Sequence, residues 1–138
     1  MSYLTEQDVR AFIVDRTIAD NDGLGLAFKP EDIAEAMKRA AREYNSVPPL
    51  IGQVTGTTLP DDTNMFLDAT AQQLYLAELA NLTRKDIDYT AGGVQTPIER
   101  QRIEHLKKLI DLHGTRFTQA ASTFKRTLNF RRAYRHIH

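Results

Sequence analysis

The apolar positions near the start of the chain recur at helical spacing. Thr5 is a good N-cap, Asp8 stands at the third helical position, and Leu4 and Val9 are placed to form a hydrophobic staple. Turn-forming residues crowd together over positions 20–25. The pattern therefore predicts a first helix that begins after Thr5 and ends before Asp20.

A second helical pattern follows from Pro30, a residue suited to the first position of a helix. Phe28 can staple to Ile33, and apolar residues continue at helical spacing as far as Tyr44. The next segment, positions 46–60, carries three prolines and two glycines, which favour an extended or looping connection. Loops of this length are often functional or ordered by a partner, so we expect a contact element here.

The third predicted helix begins at Asp61 or Asp62, ends at Leu82, and is apolar on most of its sides. Such a helix is either central to the bundle or covered on one face by another subunit. Beyond it, polar and apolar residues alternate on both sides of Gly92-Gly93, which predicts a β-hairpin over positions 86–96. A lone hairpin is marginal in water, so other helices or a neighbouring chain would have to brace it.

The last helix is predicted over positions 97–128, because Thr96 and Glu99 form a capping box around Pro97. Its apolar stripe steps by three and four residues and includes His113, while Gly114 and Thr115 are candidates for a kink. Residues 129–138 lose the amphipathic pattern and read as a basic, aromatic tail. The predicted fold is mainly α: one domain over 1–128, a small bundle of about four helices with a β-hairpin or extended loop, and an extended C-terminal tail.

Composition supports one folded domain, since the 138 residues are 41% hydrophobic and 26% charged. The first residues do not resemble a signal peptide and no long apolar run occurs, so we expect synthesis in the cytoplasm and no membrane insertion. The 18 basic and 18 acidic residues cancel but are unevenly spread. The first 36 residues hold eight acids (Glu6, Asp8, Asp15, Asp20, Asp22, Glu31, Asp32 and Glu35), whereas no acid and six cations follow Asp111 (Arg116, Lys125, Arg126, Arg131, Arg132 and Arg135).

The search for catalytic, metal or cofactor chemistry gives no candidate. The chain has no cysteine, and the acidic turn at Asp20 to Gly23 fails the register of a calcium loop because Lys29 occupies its twelfth position. The glycines at 23–25 and 52–56 lack the residues that a dinucleotide or phosphate loop requires. His105 and His113 lie eight positions apart, too far for one metal ion on one helix, and His113 is best explained as a core residue. We therefore expect no enzyme activity, no metal and no cofactor.

The C-terminal tail is the clearest functional feature, because its cations alternate with Phe130 and Tyr134. Such a segment can bind nucleic acid through phosphates and base stacking, or it can dock into an acidic, partly apolar protein groove. A frayed, solvated terminus is the third possibility. The neutral chain as a whole argues against nucleic-acid binding as the main role, since such domains are usually basic.

In the order and residue composition of its segments, the chain resembles the head-to-tail connector, or adaptor, proteins of tailed bacteriophages. The features concerned are the acidic first helix, the stretch from Ala27 to Ile33 leading into an Ala-rich helix and Val47-Pro48-Pro49, the buried helix, the Gly-Gly hairpin, and the long helix with a basic tail. No signature motif carries the likeness. A small helical nucleic-acid-binding regulator is the alternative reading.

The resemblance implies a virion protein in the neck region that forms a homo-oligomeric ring, commonly of twelve copies, beneath the portal. The ring would contact the neck or tail proteins and surround the DNA channel without sequence-specific DNA binding. By position, the portal-docking residues would be Arg126, Phe130, Arg131, Arg132, Tyr134 and Arg135. The contacts between subunits would be made by Ile87, Tyr89, Gly92, Gly93 and Val94.

Overall fold

A computed structural model describes residues 3–13, 28–50, 52–54, 64–92 and 97–137 of the chain. Within these ranges, the side chains of 85–92, 97–99 and 132–137 are not described. Four helices run in chain order: α1 (Glu6–Ile13), α2 (Pro30–Ser46), α3 (Met65–Gly92) and α4 (Pro97–Ile137). The predicted class, a small and mainly helical bundle, is confirmed for the described part of the chain.

The start of α1 follows the predicted capping chemistry, and α2 begins at Pro30 as predicted with a capping bond of its own. Asp8 Oδ2 accepts hydrogen bonds from the Thr5 amide and hydroxyl, both at 2.9 Å, and the Asp8 amide donates back to Thr5 Oγ1 at 3.2 Å. At the second helix, the Lys29 amide donates to Asp32 Oδ2 at 3.1 Å. These bonds satisfy amides that the first turn leaves without helical partners, so both helices begin where the sequence predicts.

The third helix lies at the centre of the bundle and packs against α1, α2 and α4. Its first turns bury Met65, Phe66, Ala69 and Leu74 against the other helices. Burial against other helices of the same chain therefore explains the apolar surface of the first half of α3. Further along the helix, the side chain of Leu76 remains exposed.

The core-facing stripe of α4 follows the predicted spacing, with Leu106, Ile110, His113, Phe117 and Ala121 buried. The helix runs unbroken through Gly114. Gly114 instead marks a close approach to α3: a Cβ atom built on it would lie 2.3 Å from Gln72 Nε2. The absence of a side chain at this position leaves room for the end of the flexible Gln72 side chain.

Two local predictions are wrong. Residues 86–92 are the end of α3, ten positions beyond the predicted end at Leu82, so Ile87, Tyr89 and Gly92 lie on a helix and not in a hairpin. Gly93 and Val94 lie outside the described residues. An existing helix gains one hydrogen bond for each added residue, whereas an isolated hairpin is marginal in water, and the helix is therefore favoured.

The C-terminal segment is also helical and not extended, because α4 continues to Ile137. No proline or glycine follows Gly114, and the Arg, Ala and Leu residues of this region are good helix formers. The end of the amphipathic periodicity after Leu128 indicates that the helix no longer has a buried face there. It does not indicate that the helix itself ends. At 41 residues, α4 spans about 60 Å.

Candidate functional site

The buried histidine is a structural residue. His113 Nδ1 lies 2.7 Å from Asp68 Oδ1, and both side chains are about nine-tenths buried between α3 and α4. The imidazole is edge-on to Phe12 and stacked on Tyr75. This environment joins three helices, as expected for a core histidine. Among the described residues, no group of three or more potential ligands could hold a metal ion.

The exposed end of α4 begins after Leu128. Asn129, Phe130 and Arg131 are all exposed, and Phe130 is 71% accessible. The described side chains of α4 beyond Leu128 are therefore all exposed, and they include an aromatic ring and a guanidinium group.

Of the predicted docking residues, Arg126, Phe130 and Arg131 are exposed on this end of α4. Arg132, Tyr134 and Arg135 lie on the same helix, and their side chains are not described. The predicted subunit-contact residues at 87–92 lie at the end of the other long helix, α3.

Lys125 does not belong to the basic surface, although the sequence counts it among the cations after Asp111. Its side chain is fully buried, and Nζ donates to the Tyr44 carbonyl at 2.5 Å and to the Val47 carbonyl at 2.7 Å. The ammonium also lies 4.3 Å from the centre of the Tyr44 ring. Burial lowers the pKa of Lys125 from its usual value near 10.5. The spacing of Phe117, Ala121 and Lys125, four residues apart, was the signal that this lysine lies on the core-facing stripe.

These contacts cap the C-terminal end of α2. The last carbonyls of a helix lack helical donors and carry the negative end of the helix dipole, so a cation placed there is stabilising. The α2 helix has no basic residue in its own last turn. A lysine from α4, 81 positions later than Tyr44, supplies the missing charge.

The segment that follows α2 is ordered by the chain itself. Asn45 Nδ2 donates to the Val54 carbonyl and Asn45 Oδ1 accepts from the Val54 amide, both at 2.9 Å. Gly52 has φ of +64°, a conformation that favours glycine, and a Cβ there would lie 3.4 Å from Leu128 Cδ1. We call residues 47–50 and 52–54 the Leu50 loop, after Leu50, which has 68% of its surface exposed. Ile51 and residues 55–60 of the predicted contact element lie outside the described residues.

A groove of about 660 Å³ lies between the start of α3 and the second half of α4. We call it the α3–α4 groove; it is lined by Asn64, Met65, Asp68, Arg116, Gln119, Ala120, Thr123, Phe124, Thr127, Leu128 and Arg131. Its surface is mainly apolar, and the two exposed arginines stand 15 positions apart on α4, or about 22 Å along the axis. Besides these arginines, the charged group among the described lining residues is Asp68, whose carboxylate contacts His113.

Comparison of the chain with protein-family models, with curated proteins and with solved structures gave no match. Within the described part, no helix is both long enough and apolar enough to span a membrane. The class that the fold defines is therefore a small helical bundle, and its two main surface features in the described part are the exposed end of α4 and the α3–α4 groove.

Proposed function

We propose that this protein is a head-to-tail connector subunit of a tailed bacteriophage, a virion protein that forms a ring beneath the portal and joins the capsid to the neck or tail. The observation that carries the proposal is the helical end of α4. Its described side chains after Leu128 are exposed, Phe130 to 71%, and it belongs to a stretch with no acid after Asp111.

A helix end that exposes an aromatic residue between arginines has the composition of a protein-binding anchor. Aromatic and arginine side chains are enriched among the residues that dominate binding energy at interfaces. Because the segment is already helical, binding need not order the backbone, which removes part of the entropic cost of association. The partner of this helix end would present apolar pockets within an acidic surface, and we propose that the partner is the portal.

Negative charge is concentrated in the N-terminal part of the chain. This separation of charge supports assembly from repeated copies. Asp8, Glu31, Asp32 and Glu35 are exposed on or beside α1 and α2. Surfaces of opposite charge on one chain favour contacts between different patches of identical copies, and such contacts close into a ring when the rotation allows. A ring around a DNA channel needs no sequence-specific contacts with DNA.

Reconstitution with the portal protein encoded in the same genome tests the proposal. The full-length chain mixed with portal rings is expected to give a complex of fixed stoichiometry in size-exclusion chromatography with light scattering, visible as an added layer in electron micrographs. The double variant Phe130→Ser/Arg131→Glu should lose binding. The matched control, Lys108→Glu, changes an exposed cation of α4 that lies closer to its first turn and should bind normally.

Two outcomes would contradict the proposal. A chain that stays monomeric with and without portal would exclude a connector role. Binding to short DNA duplexes that weakens steeply with salt, in the absence of portal binding, would favour the nucleic-acid-binding regulator instead. The same double variant would then reduce duplex affinity and lower the salt dependence.

A further inference from the structure

The exposed charges of the protein are not shared evenly among its helices. Over residues 3–84, the described exposed side chains include five cations and five acids, which balance. Between Arg102 and Arg131 on α4, six cations and two acids are exposed. The cations are Arg102, Lys107, Lys108, Arg116, Arg126 and Arg131, and the acids are Glu104 and Asp111. The neutrality of the whole chain therefore conceals one positively charged helix.

The positive charge extends along most of α4. The helix spans about 44 Å from Arg102 to Arg131 and runs unbroken through Gly114. Successive exposed cations are separated by at most 10 residues, or about 15 Å along the axis. No acid follows Asp111 in the chain. A line of charge this long is matched by a ligand whose negative charge is equally extended.

The exposed residues that accompany these cations favour a phosphate backbone over an acidic protein surface. Protein interfaces have an apolar core in which aromatic residues are enriched and charged residues are depleted. The exposed large hydrophobic side chains described on α4 are Leu112 and Phe130, and Phe130 belongs to the end that we propose docks to the portal. Contacts with DNA, in contrast, are made mostly to phosphate and sugar, and arginine and lysine supply many of them.

We propose that α4 is the DNA-facing helix of the assembly, and that its exposed cations contact the phosphates of duplex DNA without reading the base sequence. Phosphates recur about every 3.4 Å along each strand, so cations at these intervals meet phosphates in any register. The inference rests on the proposed function for the source of the DNA, since a connector ring surrounds a DNA channel. It adds the surface of the chain that meets the duplex.

The cations in the first half of α4 separate the DNA contact from the portal contact at the other end of the helix. The test is fluorescence anisotropy of the full-length chain with a duplex of about 20 base pairs, which is longer than the charged stretch, over about 50 to 200 mM salt. The wild type should bind with a dissociation constant of about 1–100 μM at the lowest salt. Two duplexes of unrelated sequence should bind equally.

Removing three cations of α4 should weaken binding and reduce its dependence on salt. The variant Arg102→Gln/Lys107→Gln/Lys108→Gln should bind at least about 10-fold more weakly at about 0.1 M salt, and its salt slope should fall by about 2–3, because each phosphate contact contributes about 0.9 to the slope. The matched control, Lys38→Gln/Arg39→Gln/Arg42→Gln, removes three exposed cations of α2 and changes the net charge equally. This control should keep the wild-type slope.

The outcomes distinguish the DNA contact from the connector role. The α4 variant should still bind portal rings, which also shows that it is folded. Portal binding by a wild type that binds no duplex at about 50 mM salt, or equal losses in both triple variants, overturns the DNA contact and leaves the connector standing. Tighter binding of polyglutamate than of the duplex, with the same loss in the α4 variant, assigns the helix to an acidic protein and also overturns the DNA contact. A wild type that binds duplex through α4 but never binds portal supports the contact and overturns the connector, and a chain that binds neither overturns both.

Discussion

Lys125 Nζ donates a hydrogen bond to the Tyr44 carbonyl oxygen, and the ammonium lies over the Tyr44 ring. The same nitrogen reaches the Val47 carbonyl, so one side chain of α4 holds the end of α2 and the start of the Leu50 loop. This contact links the long helix that bears the proposed docking end with the ordered loop that follows α2. The first predictions follow from it.

Replacing Lys125 should destabilise the fold, because two carbonyl groups would lose a charged donor. We expect Lys125→Met, which keeps most of the side-chain volume, to lower the free energy of unfolding by about 1.5–3 kcal/mol. Urea denaturation measures the change. Arg126→Ala, at the neighbouring exposed position, should change stability by no more than about 0.5 kcal/mol. Equal losses in both variants would show that Lys125 does not cap α2.

The lowered pKa of Lys125 gives stability a defined alkaline dependence. Between the lowered folded pKa and the unfolded value near 10.5, the unfolded chain binds the proton more tightly than the folded one, so the Lys125 contribution rises with pH in this window. Below the window, both states are protonated and the cost of burying the charge is constant. The difference in unfolding free energy between wild type and Lys125→Met should therefore grow as pH increases through the window. A difference that stays constant across it would contradict the burial of the ammonium.

Tyr44 and Tyr75 should act in the opposite direction at higher pH. Burial raises the pKa of both phenols above 10.0, and Glu78 adds to the effect at Tyr75. Above pH 10 the unfolded chain loses these protons first, so stability that is present below this pH is lost as pH rises further. Tyr44→Phe removes one titrating phenol and should flatten the alkaline decline in unfolding free energy. Tyr3→Phe, at an exposed tyrosine, is the control and should leave the decline unchanged.

The approach of α3 to Gly114 predicts a coupling between Gly114 and Gln72. An alanine at position 114 gains about 1 kcal/mol of helix propensity but displaces the Gln72 amide, which would lie 2.3 Å from the new Cβ. In a Gln72→Ala background the amide is absent, so Gly114→Ala should stabilise by about 1 kcal/mol. In the wild-type background the gain should be smaller or reversed. A double-mutant cycle from thermal or urea unfolding gives the coupling, and additive effects would refute it.

Asn45 should control the order of the Leu50 loop. Asn45→Ala removes both hydrogen bonds to Val54 and should cost about 1–3 kcal/mol of stability. The loop backbone should also become more accessible, which faster amide exchange at 52–54 would report. Gln53→Ala, an exposed loop position, is the matched control and should leave exchange at Val54 unchanged. Protection that survives in Asn45→Ala would mean that Lys125 and Leu128 suffice to hold the loop.

The sequence alone determined the starts of α1, α2 and α4 and the buried stripes, since these depend on residues close together in the chain, whereas α3 begins at Met65 and not at Asp61 or Asp62. Thr5 with Asp8 and Lys29-Pro30 with Asp32 are local capping arrangements, and the α4 stripe through His113 is a periodicity within one helix. The ends of α3 and α4 were predicted too early. A change in periodicity marks where a helix loses its buried face, and a helix without a buried face continues until a residue or a contact stops it.

The tertiary structure alone decided which residues meet. It assigned Lys125 to the core, where local composition had counted it as part of a basic surface, and it brought the lysine to carbonyl groups 78 and 81 positions earlier. It also placed the start of α3 beside the second half of α4 to form the groove, and it left Leu50 exposed on an ordered loop. Such pairings depend on how the helices pack against one another. Hydrophobic spacing shows which face of a helix is buried, but it does not identify the segment that covers that face.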